Sequence, residues 1–204
     1  MLKLVIKESK NHIPFTAIGA FGGIGIMVLI SYLNVPRPVL TELFHIFHPI
    51  HIFLSAMATT GVYLVYKREN VWQAILIGYF GSIGLATVSD SFIPYLGEWL
   101  LNMPYRAHHI GFINEFLAVN FLALGGIAVA FLWPKTKAPH LLHVFFSTLA
   151  SLLHIMMAMG KLDFITVLGV FVFIFLAVWL PCCMSDIVFP LLFVKEDTIQ
   201  GHNH

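Results

Sequence analysis

Residues 44–66 read FHIFHPIHIFLSAMATTGVYLVY, a stretch that contains no Asp, Glu, Lys or Arg. About 20 apolar residues in an α-helix cross the ~30 Å hydrocarbon core of a bilayer, so this stretch predicts a transmembrane helix. Among its polar residues, His48, His51 and Ser55 recur at helical spacing and therefore share one face. An apolar span with such a face predicts a bundle whose interior receives the polar side chains.

The composition of the whole chain predicts an integral membrane protein. Of its 204 residues, 59% are hydrophobic and only 10% are charged, whereas about a quarter of a soluble domain is charged. The net charge of +1 provides no basic surface of the kind that binds nucleic acid, so lipid is the expected partner. The two cysteines, Cys182 and Cys183, are adjacent, which excludes a disulfide framework.

Five further apolar stretches, separated by clusters of turn residues, give an all-α fold with six predicted transmembrane helices. Their predicted bounds are 13–33, 44–66, 71–96, 109–133, 141–160 and 164–194, and the last is expected to tilt or break near Pro181. Most Lys and Arg residues lie at the two termini and in the second-to-third and fourth-to-fifth loops. The positive-inside rule therefore predicts a multi-pass protein with both termini cytoplasmic.

The two halves of the sequence resemble one another. HPIHIFLSAMA at 48–58 aligns with HLLHVFFSTLA at 140–150, and SDSFIPYL at 89–96 aligns with SDIVFPLL at 185–192. A weaker match joins HIPF at 12–15 to HIGF at 109–112. We therefore predict two three-helix repeats, 1–104 and 105–204, in one membrane domain. Because three is an odd number of spans, the second repeat enters the membrane upside down, a 3+3 inverted topology that recurs in transporters.

The repeat duplicates a cluster of His and Asp. The candidate metal ligands are His12, His48, His51, Asp90, His109, His140, His143 and Asp186, with Ser55, Ser89, Glu115, Ser147, His154 and Ser185 in supporting positions. Their places along the predicted spans put the cluster around Asp90 near the outer face and the cluster around Asp186 near the inner face. An ionisable group at membrane depth needs a partner, so we expect each Asp to pair with a His of its own cluster.

Imidazole nitrogen with carboxylate oxygen is ligand chemistry for a divalent transition metal: zinc, copper, iron, manganese or nickel. A structural hydrogen-bond network and a proton relay through His are the alternatives. We expect Ser89 and Ser185 to bond the neighbouring carboxylates or the backbone freed by the prolines, and Glu115 to join the outer cluster. Cys182 could lend a thiolate to the inner cluster, although a cysteine in an apolar helix commonly serves packing alone.

Three functions fit this pattern, and no catalytic motif such as H-E-x-x-H or G-x-S-x-G favours an enzyme. The leading hypothesis is a small transporter or channel for a transition-metal cation or a proton-coupled solute. The second is a membrane redox or metal protein, in which haem, the less favoured cofactor, would need facing pairs such as His51 with His109 and His143 with His12. The third is an accessory subunit of a larger membrane complex or a homo-oligomer, in which the His/Asp clusters would only stabilise the fold.

Overall fold

The part of the chain that its computed structural model describes, residues 2–67, 70–106, 110–134, 137–160 and 163–194, is mostly helical, and no strand occurs in these ranges. The α-helices there are α1 (Leu2–Tyr32), α2 (Arg37–Tyr66), α3 (Val71–Thr87), α4 (Ile93–Leu100), α5 (Gly111–Asn114), α6 (Phe116–Leu132), α7 (Lys137–Ala158), α8 (Phe164–Cys183) and α9 (Phe189–Leu191). A first π-turn, Val88–Phe92, joins α3 to α4, and a second, Met184–Val188, joins α8 to α9.

Four helical stretches in the described part of the chain are long and apolar enough to cross a bilayer, which makes this a multi-pass membrane protein. They are Arg37–Tyr66, Val71–Leu100, His140–Ala158 and Phe164–Leu191. The apolar stretches Thr16–Tyr32 and Phe116–Leu132 are shorter. The predicted span 109–133 is interrupted, because α5 ends at Asn114 and α6 begins only at Phe116. The expected break near Pro181 takes the form of the second π-turn.

Local chemistry explains where the long helices begin. α2 begins directly after Pro36, whose missing N–H costs no helical hydrogen bond at that position. α3 and α8 begin after Asn70 and Asp163, whose side chains accept hydrogen bonds from the backbone N–H groups of Gln73 and Thr166. The hydrogen bond from Thr166 holds the pKa of Asp163, which lies outside the membrane-spanning stretches, below its usual value.

The centre of the bundle is formed by α2 and α7. Of the most apolar window in each spanning stretch, 72% is buried in Arg37–Tyr66 and 67% in His140–Ala158, against 39% in both Val71–Leu100 and Phe164–Leu191. The two central helices run antiparallel, because residues in rising order on α2 contact residues in falling order on α7. These contacts are Thr41 with Met157, Phe44 with His154, Phe47 with Phe146 and His51 with His143.

Close packing of α6 on α2 depends on Gly126. A Cβ at this position would lie 2.2 Å from the carbonyl oxygen of Phe53 and 3.1 Å from the Cβ of Ala56. A Cβ at the neighbouring Gly125 would make an ordinary contact with the Phe53 ring at 3.6 Å. Small residues let membrane helices approach closely. The separation of α2 and α6 is therefore limited by the backbone of Gly126.

We expect Gly126→Ala to lower the thermal unfolding midpoint of the detergent-purified protein, because the added methyl group would push α6 away from the α2 backbone. Overpacking of this kind typically costs about 1–3 kcal/mol. Gly125→Ala is the matched control, since its methyl group meets only an ordinary contact and alanine is the better helix former. Tryptophan fluorescence on heating measures both midpoints. Equal midpoints for the two variants would contradict this account of the packing.

Candidate functional site

Two equivalent His/Asp groups are built around the aspartates of the π-turns. In the first group, Asp90 Oδ2 lies 3.0 Å from His48 Nδ1 and 2.5 Å from His51 Nδ1. All three side chains are buried, none more than 1% exposed. Because a carboxylate oxygen only accepts hydrogen bonds, both Nδ1 atoms carry the hydrogen and donate it to Asp90. The expected pairing of Asp90 with a His of its own cluster is confirmed, and it involves both.

The second group repeats this arrangement with the aligned residues. Asp186 Oδ2 accepts hydrogen bonds from His140 Nδ1 at 2.6 Å and from His143 Nδ1 at 2.7 Å. Asp186 and His143 are buried, whereas the side chain of His140 is 22% exposed. Aligned positions in the two predicted halves therefore use the same atoms to make the same bonds, as the sequence comparison led us to expect.

The two groups are adjacent, so the prediction that one lies near each membrane face is wrong. The rings of His51 and His143 stack with their centroids 4.7 Å apart and their planes inclined by 21°. The error arises from the length of α2, which begins at Arg37 rather than at residue 44 and so places His51 near its middle. Since α2 and α7 run antiparallel, His48 and His140 lie on opposite sides of the stacked pair.

The first π-turn leaves one carbonyl group without a helical donor. Pro94 has no N–H, so the carbonyl of Ser89, five residues earlier, loses the hydrogen bond that π-helical geometry would supply. The hydroxyl of Ser151 donates to this carbonyl at 3.1 Å and lies 3.4 Å from Asp90 Oδ1. A hydroxyl group on α7 thus gives this carbonyl a hydrogen bond that lipid could not provide.

The second π-turn is completed in the same way from α2. Pro190 leaves the carbonyl of Ser185 without its donor, and the hydroxyl of Thr59 donates to this carbonyl at 3.2 Å. Thr59 Oγ1 also lies 2.9 Å from Ser185 Oγ. Thr59 and Ser151 were absent from the predicted site. They follow the aligned segments 48–58 and 140–150 directly, so extending that alignment by one residue would have found them.

Serine hydroxyls connect the two predicted halves. Ser55 Oγ lies 3.0 Å from Ser185 Oγ, and Ser147 Oγ lies 2.8 Å from Ser89 Oγ, so each bond joins a central helix to the π-turn of the other half. Ser89 and Ser185 therefore do not bond the carboxylates or the freed carbonyls as expected: their hydroxyls bond other hydroxyls, and that of Ser185 also donates to the carbonyl of Gly81 at 3.3 Å. All four supporting serines are buried, as are Asp90 and Asp186.

A third set of ligand atoms lies where the two groups meet. One ring nitrogen each of His51 and His143 and the sulfur of Cys182 lie within 4.8 Å of one another, as do the ligand atoms of the first and of the second group. We call this set the central group. Buried His, Asp and Cys side chains at this spacing could hold a metal ion.

The orientation of the imidazoles suits metal binding. Nε2 of His48 and Nε2 of His51 are buried and have no hydrogen-bond partner among the described residues. With Nδ1–H donating to Asp90, Nε2 of a neutral ring carries a lone pair. A metal-binding His usually has this form, with its other nitrogen held by a carboxylate. These groups could therefore hold a metal ion, with the Asp either a ligand or the group that orients the rings.

Two other buried acids pair with His outside these three groups. Glu115, expected to join the outer cluster, is paired with His45 instead. His154, expected in a supporting position, has its Nε2 3.4 Å from Oε1 of Glu98, and both side chains are buried. Glu98 escaped prediction because the third span was expected to end at residue 96, whereas its helix continues to Leu100.

Two of the predicted ligands are not placed. His109 lies outside the described residues, and so does the side chain of His12. The start of α5 does pack on the first group, since a Cβ on Gly111 would lie 2.1 Å from Nε2 of His48. The close approach of α5 to His48 therefore requires glycine at this position.

Comparison of the chain with protein-family models, with curated proteins and with solved structures gave no match. What the protein does must therefore be inferred from its own side chains. The informative ones are the two buried His/Asp groups, the stacked imidazoles between them and the buried sulfur of Cys182.

We expect Asp90→Ala to destabilise the protein more than Asp90→Asn. Alanine removes the acceptor of two buried Nδ1–H groups, and each buried donor left without a partner costs about 1–3 kcal/mol. Asparagine keeps a carbonyl oxygen in the same place and so retains an acceptor. Thermal midpoints in detergent, with Glu42→Ala as the exposed control, measure the difference. Equal midpoints for the Ala and Asn variants would show that Asp90 is not required as an acceptor.

Proposed function

We propose that this chain is a small membrane transporter for a divalent transition-metal cation, built as a six-span 3+3 inverted repeat of residues 1–104 and 105–204. The proposal rests on the stacking of His51 on His143, which joins two equivalent His/Asp groups inside the bundle. The first group shares His51 with the central group, which shares His143 with the second group. A cation passing along this series would always remain within reach of a ligand.

The inverted repeat is supported by the direction of the central helices. α2 and α7 carry the aligned segments HPIHIFLSAMA and HLLHVFFSTLA, and they run antiparallel. Equivalent helices that run in opposite directions are expected from a pseudo-two-fold axis in the membrane plane. His51 stacks on its own aligned counterpart, His143, and a pair of this kind lies on such an axis. The serine bonds on either side of the stack obey the same symmetry.

Six spans require α1 and α6 to cross the membrane beside the four longer stretches. α1 packs on α7 and α8, and α6 packs on α2 and α3, so the first helix of each half lies against the second and third of the other. Both helices expose large apolar side chains, such as Phe21 at 67% and Phe121 at 80%. Side chains of this kind fit contact with lipid.

Six spans place both termini on one side, and the distribution of Lys and Arg makes that side cytoplasmic. Green fluorescent protein fused before Met1 or after His204 should therefore fluoresce in a bacterial host, and alkaline phosphatase at the same positions should be inactive. Fusions truncated after Arg106, in a predicted outer loop, are the control and should give the reverse result. Termini on opposite sides would contradict the six-span inverted repeat.

Proton transfer is a second candidate function, favoured by the short distances within the groups. His Nδ1 and Asp Oδ2 lie 2.5–3.0 Å apart, which are hydrogen-bond distances, whereas two ligands of one tetrahedral zinc lie about 3.3 Å apart. Hydrogen-bonded imidazoles can pass protons. Coupling of a solute to protons would use the same six side chains.

Zinc uptake into proteoliposomes that enclose a zinc-sensitive dye tests the transporter proposal. We expect the double variant His51→Ala plus His143→Ala to lose about 10- to 100-fold in zinc affinity or uptake rate, because it removes at least one histidine from each of the three groups. His45→Ala is the matched control on the same helix, since His45 pairs with Glu115 outside these groups.

A pH-sensitive dye in parallel vesicles distinguishes the candidates. Proton flux without zinc uptake would favour the second candidate, and the absence of both would refute transport of either kind. A haem absorption band in the purified protein would instead favour the membrane redox hypothesis. Purified protein without metal, haem or transport activity would leave the third hypothesis, an accessory subunit of a larger membrane complex or a homo-oligomer.

A further inference from the structure

We infer that the transported cation is thiophilic, of the Zn²⁺ or Cu⁺ class rather than the Mn²⁺ class, because Cys182 supplies a sulfur ligand at the midpoint of the path. This inference rests on the proposed function and specifies its substrate class. It gives Cys182 a different place from the one expected, since the sulfur lies between both His/Asp groups rather than beside the second alone.

The fold brings the Cys182 sulfur to the stacked imidazoles from a third helix. Cys182 lies near the end of α8, and only 2% of the residue is exposed. Its Sγ lies within 4.8 Å of a ring nitrogen of His51 and of one of His143. Two central helices and one peripheral helix thus converge on one point.

Packing alone does not account for this arrangement. Cys182 is part of the hydrophobic core, and a buried cysteine often has no other role. An apolar packing site, however, would not place two imidazole nitrogens within 4.8 Å of the sulfur. Nε2 of His51 is also buried without a hydrogen-bond partner among the described residues. Leaving such an atom unsatisfied is costly, and a bound cation would satisfy it.

Two imidazole nitrogens and one thiolate form a ligand set with clear preferences. Thiolate ligands favour zinc and Cu⁺, while manganese and magnesium favour carboxylate, carbonyl and water oxygens. On binding, the S–H bond of Cys182 breaks, a sulfur–metal bond forms and the proton leaves to water. The first and second groups contain no sulfur, so Cys182 is the residue that discriminates among the cations entering the path.

Cobalt(II) is the probe, because it replaces zinc in sites of this kind and thiolate coordination adds a sulfur-to-cobalt charge-transfer band to its ligand-field bands. The experiment is an anaerobic titration of the full-length, detergent-purified protein, followed by competition with Zn²⁺ and Mn²⁺. Cys182→Ser removes the sulfur and keeps a small polar side chain. Cys183→Ser is the matched control, since Cys183 is the adjacent buried cysteine and belongs to none of the groups found among the described residues.

We expect the charge-transfer band in the native protein and in Cys183→Ser, its loss in Cys182→Ser, and displacement of cobalt by Zn²⁺ but not by Mn²⁺. Cys182→His, which keeps a nitrogen ligand, should bind cobalt without the band, so loss of the band is separable from loss of folding. Cobalt binding without the band, or a band that survives in Cys182→Ser, would refute the sulfur ligand while leaving the transporter proposal intact. No cobalt binding at all would refute both.

Discussion

A carboxylate inside an apolar helical bundle must receive hydrogen bonds, and Asp90 and Asp186 impose this requirement on the whole molecule. An ionisable side chain at membrane depth costs at least about 3 kcal/mol unless it is paired or faces a polar interior. Each Asp is satisfied by two Nδ1–H donors from the central helix of its own half. α2 and α7 meet this requirement from the centre of the bundle, where the histidines of α2 bond Asp90 and those of α7 bond Asp186.

The backbone of the π-turns imposes a second requirement, which the halves meet for each other. The prolines that follow the aspartates free the carbonyls of Ser89 and Ser185, and hydroxyl groups from the opposite half donate to them. Side-chain bonds between serines reinforce both junctions. The His–Asp bonds therefore lie within each half, whereas the hydroxyl bonds lie between halves. Each π-turn is thus completed by a hydroxyl group from the other predicted half.

The sequence was sufficient for the pattern within each helix and insufficient for contacts between helices. Spacing and the repeat predicted the pairing of Asp90 and Asp186 with their own histidines, because helical periodicity alone puts those His residues on one face. The predicted depth of the two groups in the membrane was wrong. That prediction depended on the first residue of α2, and apolar composition does not determine where a helix begins. Cys182 could be assigned only to the nearer group, because which helices converge on it is decided by packing.

The division between bonds within a half and bonds between halves bears on how a cation could cross. In a transporter with inverted repeats, one half rocks against the other around the site. Such a movement would preserve the four His–Asp bonds, each of which lies inside one half. The movement would instead disrupt the serine bonds and the stack of His51 with His143, which join the two halves. A hydrogen bond between neutral groups makes a net contribution of only about 0.5–1.5 kcal/mol to stability. Under the proposed function, the two halves would exchange partners at modest cost while each keeps its His and Asp side chains in place, and the sulfur of Cys182 at their junction would hold the cation during that exchange.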